Sequence, residues 1–295
     1  MSEAGNPARS RAARLLLPFP PGCRVTQLVR REKRFTIVAT DPDTGAEVRG
    51  HTNNTGTMLG LLRPGTAALL SPALNPDRAL KWTLEALALP GTPPGDNALA
   101  LPGTPPGDNA LALAGSFRAD DAPKGPWVGV NTQTPNRLLE AAFRARLLPE
   151  ARGYATLTRE AKAGASRLDA LLTGGGPPLY VECKNVTLVE DDQAQFPDAP
   201  TERGRKHLAE LTRLVHEGCR AALFFLVQRP DGRCFAPAQA IDPDYASALA
   251  VALAAGVEAW VWRAQITPAG ISLAERLPLA PDWATRLRHK ESPAP

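Results

Sequence analysis

Asp169, Glu182 and Lys184, in the stretch "RLDALLTGGGPPLYVECKNV", are the residues whose types and spacing point to chemistry. Read as a strand, "LYVECKNVTLV" puts Tyr180, Glu182 and Lys184 on one face and Leu179, Val181 and Cys183 on the other. Charged side chains on an otherwise apolar strand must be paired, bound to something, or open to water. Asp169 lies in the preceding apolar segment, across the turn "TGGGPP", so a hairpin can bring its carboxylate toward Glu182. Two carboxylates completed by waters suit Mg²⁺ (or Mn²⁺), hard ions that retain part of their hydration shell. Such a cation lowers the pKa of bound water and offsets charge building on a phosphoryl group. Lys184 could orient the attacking water, help deprotonate it, or stabilise the added negative charge. Glu140, at the edge of a helical apolar stripe, is a candidate further ligand. The competing reading is a structural ion pair, since an i, i+2 Glu/Lys pair is common on half-exposed strands.

The elements that must hold these residues can be read from periodicity. "TPNRLLEAAFRARLL" carries proline near its start and the stripe Leu138, Leu139, Ala142 and Phe143, which predicts a helix. "YATLTREAK", "SRLDALL" and "LYVECKNVTLV" read as strands. "TERGRKHLAELTRLVHEG" predicts a second helix, capped by Thr201 and ended by Gly218. "AALFFLVQ" is apolar throughout and so predicts a strand buried on both faces. "PDYASALAVALAAG" and "VEAWVWRAQI" add a helix and a strand. The order α-β-β-β-α-β-α-β predicts a mixed sheet flanked by helices.

The first part of the chain differs. Short strands recur at roughly 10-residue spacing through "GCRVTQLVRREKRFTIVA", "EVRGHT", "TAALLS" and "KWTLEALAL", which predicts a small barrel or sandwich. A five-stranded oligonucleotide-binding barrel is one candidate. The segment "ALALPGTPPGDN" occurs at 86–97 and again unchanged at 98–109, a tandem duplication whose PPG turns predict an exposed loop over 88–112.

At 295 residues the chain is long enough for about two domains. No run of about 18 apolar residues exists, so no membrane span is expected. Cys23, Cys183, Cys219 and Cys234 show neither CxxC nor Cys/His ligand spacing, which argues against a zinc site or disulfide framework and for a cytoplasmic setting. Net charge is +4, but residues 1–40 alone carry eight Arg/Lys against two Glu, a net of +6, leaving −2 on the rest. A basic end on a near-neutral body suits a partner with phosphates. Arg30, Arg31, Lys33 and Arg34, with Asn54 of the loop "NNTG", are the barrel residues expected to contact nucleic acid. "RKHLAELTRLVHEGCRAALFF" could be taken for a helix-turn-helix, but its second half is β-rich. His207 faces either the site or solvent.

The stretches "RFTIVATDPDTGAEVRGHTNNTGTMLGLLRPG", "WVGVNTQTPNRLLEAAF", "RLDALL", "YVECKNVTLVEDDQAQFPDAPTERGRKHLAEL" and "LFFLVQR" resemble the sugar fermentation stimulation protein A family, in order and over most of residues 20–280. The resemblance implies an α/β chain with an N-terminal OB-like five-stranded β-barrel and a C-terminal domain similar to PD-(D/E)xK nucleases. The expected layout is a basic flexible N-terminus at 1–21, the barrel at 22–131, the nuclease-like domain at 132–280 and a tail at 281–295. It also implies a DNA-binding protein with a regulatory role in sugar metabolism. By the same resemblance, Asp169, Glu182 and Lys184 take the metal-and-lysine positions and Glu140 the helix carboxylate. Arg203, Arg205 and Lys206 fall where such folds place a phosphate-facing group, with Arg205 standing where glutamine is frequent. The leading expectation is Mg²⁺-dependent phosphodiester hydrolysis on DNA; the alternative is a non-catalytic DNA-binding regulator that keeps the fold.

Overall fold

The computed structural model describes residues 14–75, 77–89, 126–164 and 166–283. In chain order its strands are β1 (Leu15–Pro18), β2 (Arg24–Glu32), β3 (Thr36–Thr40), β4 (Glu47–His51), β5 (Ala67–Pro72), β6 (Trp82–Ala88) and β7 (Trp127–Gly129). Helix α1 (Thr134–Arg144) follows, then β8 (Thr156–Ala163), β9 (Ser166–Thr173), β10 (Leu179–Val186), β11 (Leu188–Glu190) and β12 (Gln193–Phe196). The chain continues through α2 (Glu202–His216), β13 (Arg220–Val227), β14 (Cys234–Pro237), α3 (Pro243–Ala254), β15 (Glu258–Thr267) and β16 (Gly270–Arg276).

Strands β2 to β6 close into a five-stranded barrel: the order β4-β3-β2-β5-β6 is sealed by parallel pairing of Gly50 with Trp82 and His51 with Thr83. Alternation along the strands sends Leu28, Ile37, Leu70 and Leu84 inward, all essentially inaccessible to solvent. Strand β7 adds to the outside of β6, and then hands the chain to the second domain.

That second domain is built on a mixed sheet of order β1-β16-β15-β13-β10-β9-β8 among the described residues. Helix α1 packs on one face and α2 and α3 on the other. The parallel pairs β10–β13 and β13–β15 sit at its centre, and β13 is buried along nearly its whole length, as its unbroken apolar run requires. The core under α1 continues into the barrel through Leu69, Ala86, Ala88 and Trp127, so the two domains share apolar contacts.

Several expectations are corrected. The N-terminus does not stay apart to residue 21: Leu15–Pro18 pairs antiparallel with β16 and joins the second domain's sheet, because its leucines pack on the core under α1. Of the tail expected from 281, the third residue, Trp283, is buried in the core under α2 and α3. "LYVECKNVTLV" is two strands: β10 ends at Val186, and β11 leaves for a small sheet of order β11-β12-β14. All of the duplicated loop except residues 88 and 89 lies outside the described residues, as do residues 1–13 and 284–295.

No helix among the described residues is long and apolar enough to cross a membrane.

Candidate active site at the fork of two strands

Strands β9 and β10 pair antiparallel only from Leu179↔Leu172 to Val181↔Ala170, and then separate. Asp169 is the next residue of β9 at this fork. Its Oδ2 accepts the backbone N–H of Cys183 at 2.8 Å, so a side chain takes the role of the lost ladder bond. Its Oδ1 accepts from Asn136 Nδ2 of α1 at 2.6 Å.

The start of α1 is set by the barrel. Pro135 occupies the first turn, and Gln133 offers no side-chain cap. Instead, Asn131 Oδ1 accepts the Gln133 N–H at 3.0 Å, and Asn53 Oδ1 of the barrel loop accepts the Thr132 N–H at 3.0 Å. Asn131 in turn donates to the buried Glu85 of β6 at 2.8 Å. A barrel loop therefore fixes the helix that orients Asp169.

Glu182 sits on β10 between β9 and β13, opposite Leu223, and is 4% exposed. The expected strand faces are realised: Leu179, Val181 and Cys183 enter the core under α1, and Glu182 meets α2. Glu182 Oε1 accepts from Lys184 Nζ at 2.7 Å, and His207 Nδ1 of α2 bonds to the same oxygen. Arg203, one turn earlier on α2, points its Nε to His207 Nε2 at 3.5 Å. A carboxylate can only accept, so Nδ1 is the ring nitrogen that donates to Glu182. Glu182 Oε2 is buried with no hydrogen-bond partner.

The two carboxylates differ in charge environment. Burial raises the Glu182 pKa, but the charge and hydrogen bonds of Lys184 and His207 outweigh it and hold this carboxyl at about 2. Asp169 is pushed above the usual aspartate range, first by burial and then by the neighbouring Glu182 charge, against the bonds from Cys183 and Asn136. A buried acceptor left without a partner costs on the order of 1–3 kcal/mol. The free Glu182 Oε2, beside a second carboxylate with spare lone pairs, fits a hard divalent cation. No cluster of three or more His, Cys, Asp or Glu that could hold a metal forms among the described residues, so water or substrate oxygens would complete its shell.

The other expected residues distribute unevenly. Glu140 does not join the two carboxylates: it pairs with Arg144 one turn on, at 2.6 Å, and with Arg159 of β8 at 3.8 Å. Arg205 turns away to Asp242, contacting both carboxylate oxygens at 3.1 and 3.2 Å. Asp242 also caps α3 by accepting the Tyr245 N–H, so Arg205 ties two helix starts together. Lys206 pairs with Glu202 on the exposed side of α2. Of that trio only Arg203 reaches the site. In the barrel, Arg31 donates to the carbonyls of Arg34, Asn54 and Gly56, and the buried Asn54 donates to the Val130 carbonyl and accepts from Gly56; both side chains hold the loop together. Arg30 is paired with Glu32 at the surface. Lys33 and Arg34 are exposed and have no carboxylate partner among the described residues.

Sequence reasoning singled out neither Asn136 nor Asn131, and it left His207 open. The i, i+4 spacing of Arg203 and His207 was the available signal for His207. Asn136 had none, because its partner is 33 residues away.

Residues 133–270 match the family model "Sugar fermentation stimulation protein RE domain", and residues 29–93 match "SfsA N-terminal OB domain". A sugar fermentation stimulation protein homolog of Maridesulfovibrio salexigens is 49% identical over 268 residues, covering 90% of this chain and 97% of its own. The Lawsonia intracellularis homolog is 47% identical over 266 residues, with 90% and 97% covered. The structure of Pyrococcus furiosus SfsA in complex with Ca²⁺ matches the fold with a TM-score of 0.72 at 24% identity, covering 91% of this chain and all of that one. The chain belongs to the sugar fermentation stimulation protein family.

Proposed function

We propose that this protein binds DNA through its barrel and hydrolyses phosphodiester bonds at the Asp169–Glu182–Lys184 site with the help of Mg²⁺ or Mn²⁺. The observation that carries this reading is the Glu182 carboxylate, bonded to Lys184 and near enough for its charge to act on Asp169, with Oε2 buried and unpartnered. That the Pyrococcus protein was described with Ca²⁺, another hard oxygen-seeking cation, supports a divalent ion as the partner.

Asp169 and Glu182 would hold the cation. When bound, it supplies a lowered pKa for water and charge neutralisation at the phosphoryl group. The protein's own groups do the rest. Asn136 and the Cys183 N–H fix the Asp169 carboxylate, and His207 fixes Glu182. Lys184, 11% exposed, presents a positive charge that can shift from Glu182 toward a bound phosphate and stabilise the charge gained in the transition state. Arg203 stands beside His207 as a phosphate contact. A cytoplasmic location is part of the same reading and agrees with the four cysteines being unbridged.

The test is incubation of the purified chain with labelled single- and double-stranded DNA in Mg²⁺, Mn²⁺ or EDTA, beside Lys184→Ala. Metal-dependent cleavage that the variant loses is expected. Binding without cleavage in either metal would sink the nuclease reading and leave a DNA-binding regulator.

A further inference from the structure

The tip of the barrel between β2 and β3 exposes three consecutive residues, Lys33, Arg34 and Phe35. Phe35 is 47% exposed, and its ring lies nearly parallel to that of His51, with centroids 6.0 Å apart and planes 15° from one another. A single exposed phenylalanine is unremarkable on a protein surface. This one is half of an aromatic pair bordered by cations. Lys33 and Arg34 have no carboxylate partner among the described residues, and the Arg34 charge is felt by Arg31 as repulsion. Arg78, held by the carbonyls of Leu80 and Trp82, adds positive charge near His51. Partial burial and that charge keep His51 below its ordinary pKa, so its ring is a neutral π face.

We propose that Phe35 and His51 form a stacking platform for an unpaired base, with Lys33 and Arg34 taking the adjoining phosphates, so that the barrel selects single-stranded over duplex nucleic acid. The chemistry follows from the pairing of features. Every base has a π face that an aromatic ring can cover, and a duplex hides that face within its own stack. Cations beside the rings match the phosphates that flank each base. The platform also connects to the rest of the site. From His51 the chain enters the loop 52–57, where Asn53 binds Asn131 and Thr132 ahead of α1, and Thr57 meets Asp198 ahead of α2. Those helices carry Asn136, Arg203 and His207.

This inference rests on the nucleic-acid reading but not on catalysis, and the experiment separates the two. Full-length protein in EDTA is titrated, by fluorescence anisotropy, against a labelled oligothymidylate, an abasic oligomer with the same phosphates, and a duplex. The expected result is a preference for oligothymidylate over both. Phe35→Ala should weaken oligothymidylate binding by on the order of tenfold to a hundredfold and leave abasic binding unchanged. Phe35→Trp should retain the preference. Equal binding of base-bearing and abasic strands by the native protein, or unchanged oligothymidylate binding by Phe35→Ala, overturns the platform. Cleavage in Mg²⁺ beside Lys184→Ala then decides the other question: the platform can fall while lysine-dependent cleavage persists, or stand without any cleavage. If no nucleic acid is bound in EDTA and none is cleaved in Mg²⁺, both are overturned.

Discussion

Asp169 and Cys183 are joined across the fork between β9 and β10 by a bond from the Cys183 backbone N–H to Asp169 Oδ2 at 2.8 Å. The same carboxylate thus closes the gap in the sheet and lies within reach of the Glu182 charge. Structure and chemistry meet in one side chain, and two substitutions separate them.

Asp169→Ala removes the acceptor and leaves a buried N–H unmade, so a loss of about 1–3 kcal/mol in unfolding free energy is expected. Asp169→Asn keeps an amide oxygen for Cys183, with the Asn136 amide turned to match, and should lose much less stability. Both should lose Mg²⁺ binding in calorimetric titration. Native-like Mg²⁺ affinity in Asp169→Asn would remove this residue from the metal site.

The basic residues of the barrel divide into two kinds. Lys33 and Arg34 are free to meet phosphates, so replacing either with alanine should lower the slope of log affinity against log salt by about one, with little change in stability. Arg31 holds three loop carbonyls, so Arg31→Ala should act chiefly on thermal stability. A salt slope that responds to Arg31 and ignores Lys33 and Arg34 would reverse the assignment.

Gly129 lies so close to Gln228 that a Cβ there would be 2.1 Å from Gln228 Oε1 and 2.8 Å from Cδ. Gln228 is fully buried and bonds to Asn185, the neighbour of Lys184. Gly129→Ala should therefore cost about 1–3 kcal/mol by overpacking. Adding Gln228→Ala should recover part of that loss. A strictly additive double variant, measured by denaturant unfolding, would show that the two sites do not press on one another.

Thiol reactivity should follow burial. Burial, helped by the Glu85 charge, pushes the Cys23 thiol up to about 12, and burial raises Cys183 well above its ordinary value. A thiol whose pKa is raised stays protonated at neutral pH and reacts only as pH climbs toward that pKa. In native protein at about pH 8, alkylation read by peptide mass spectrometry should therefore reach the half-buried Cys219 and Cys234 before Cys23 and Cys183. Early labelling of Cys23 would mean that the barrel end opens in solution.

The local and periodic features of this protein were determined by the sequence. The helices carrying Leu138 and Leu208, the buried strand around Phe224, the Thr201 cap and the split of Glu182 from Val181 across β10 all follow from spacings of two to four residues. The Glu182–Lys184 pair was legible for the same reason, since residues two apart on a strand share a face. Strands β1 and β14 were not legible, since four-residue segments have no period of their own and exist only because a distant edge pairs with them. The inward turn of Arg31, the reach of Arg159 to Glu140, and the seating of Arg205 on Asp242 were decided by tertiary structure alone. A long cationic side chain has many carboxylates and carbonyls in reach, and only the packed fold selects among them. The same holds for Asn53 and Asn131, which bring the barrel to bear on α1: their hydrogen bonds join residues 78 positions apart.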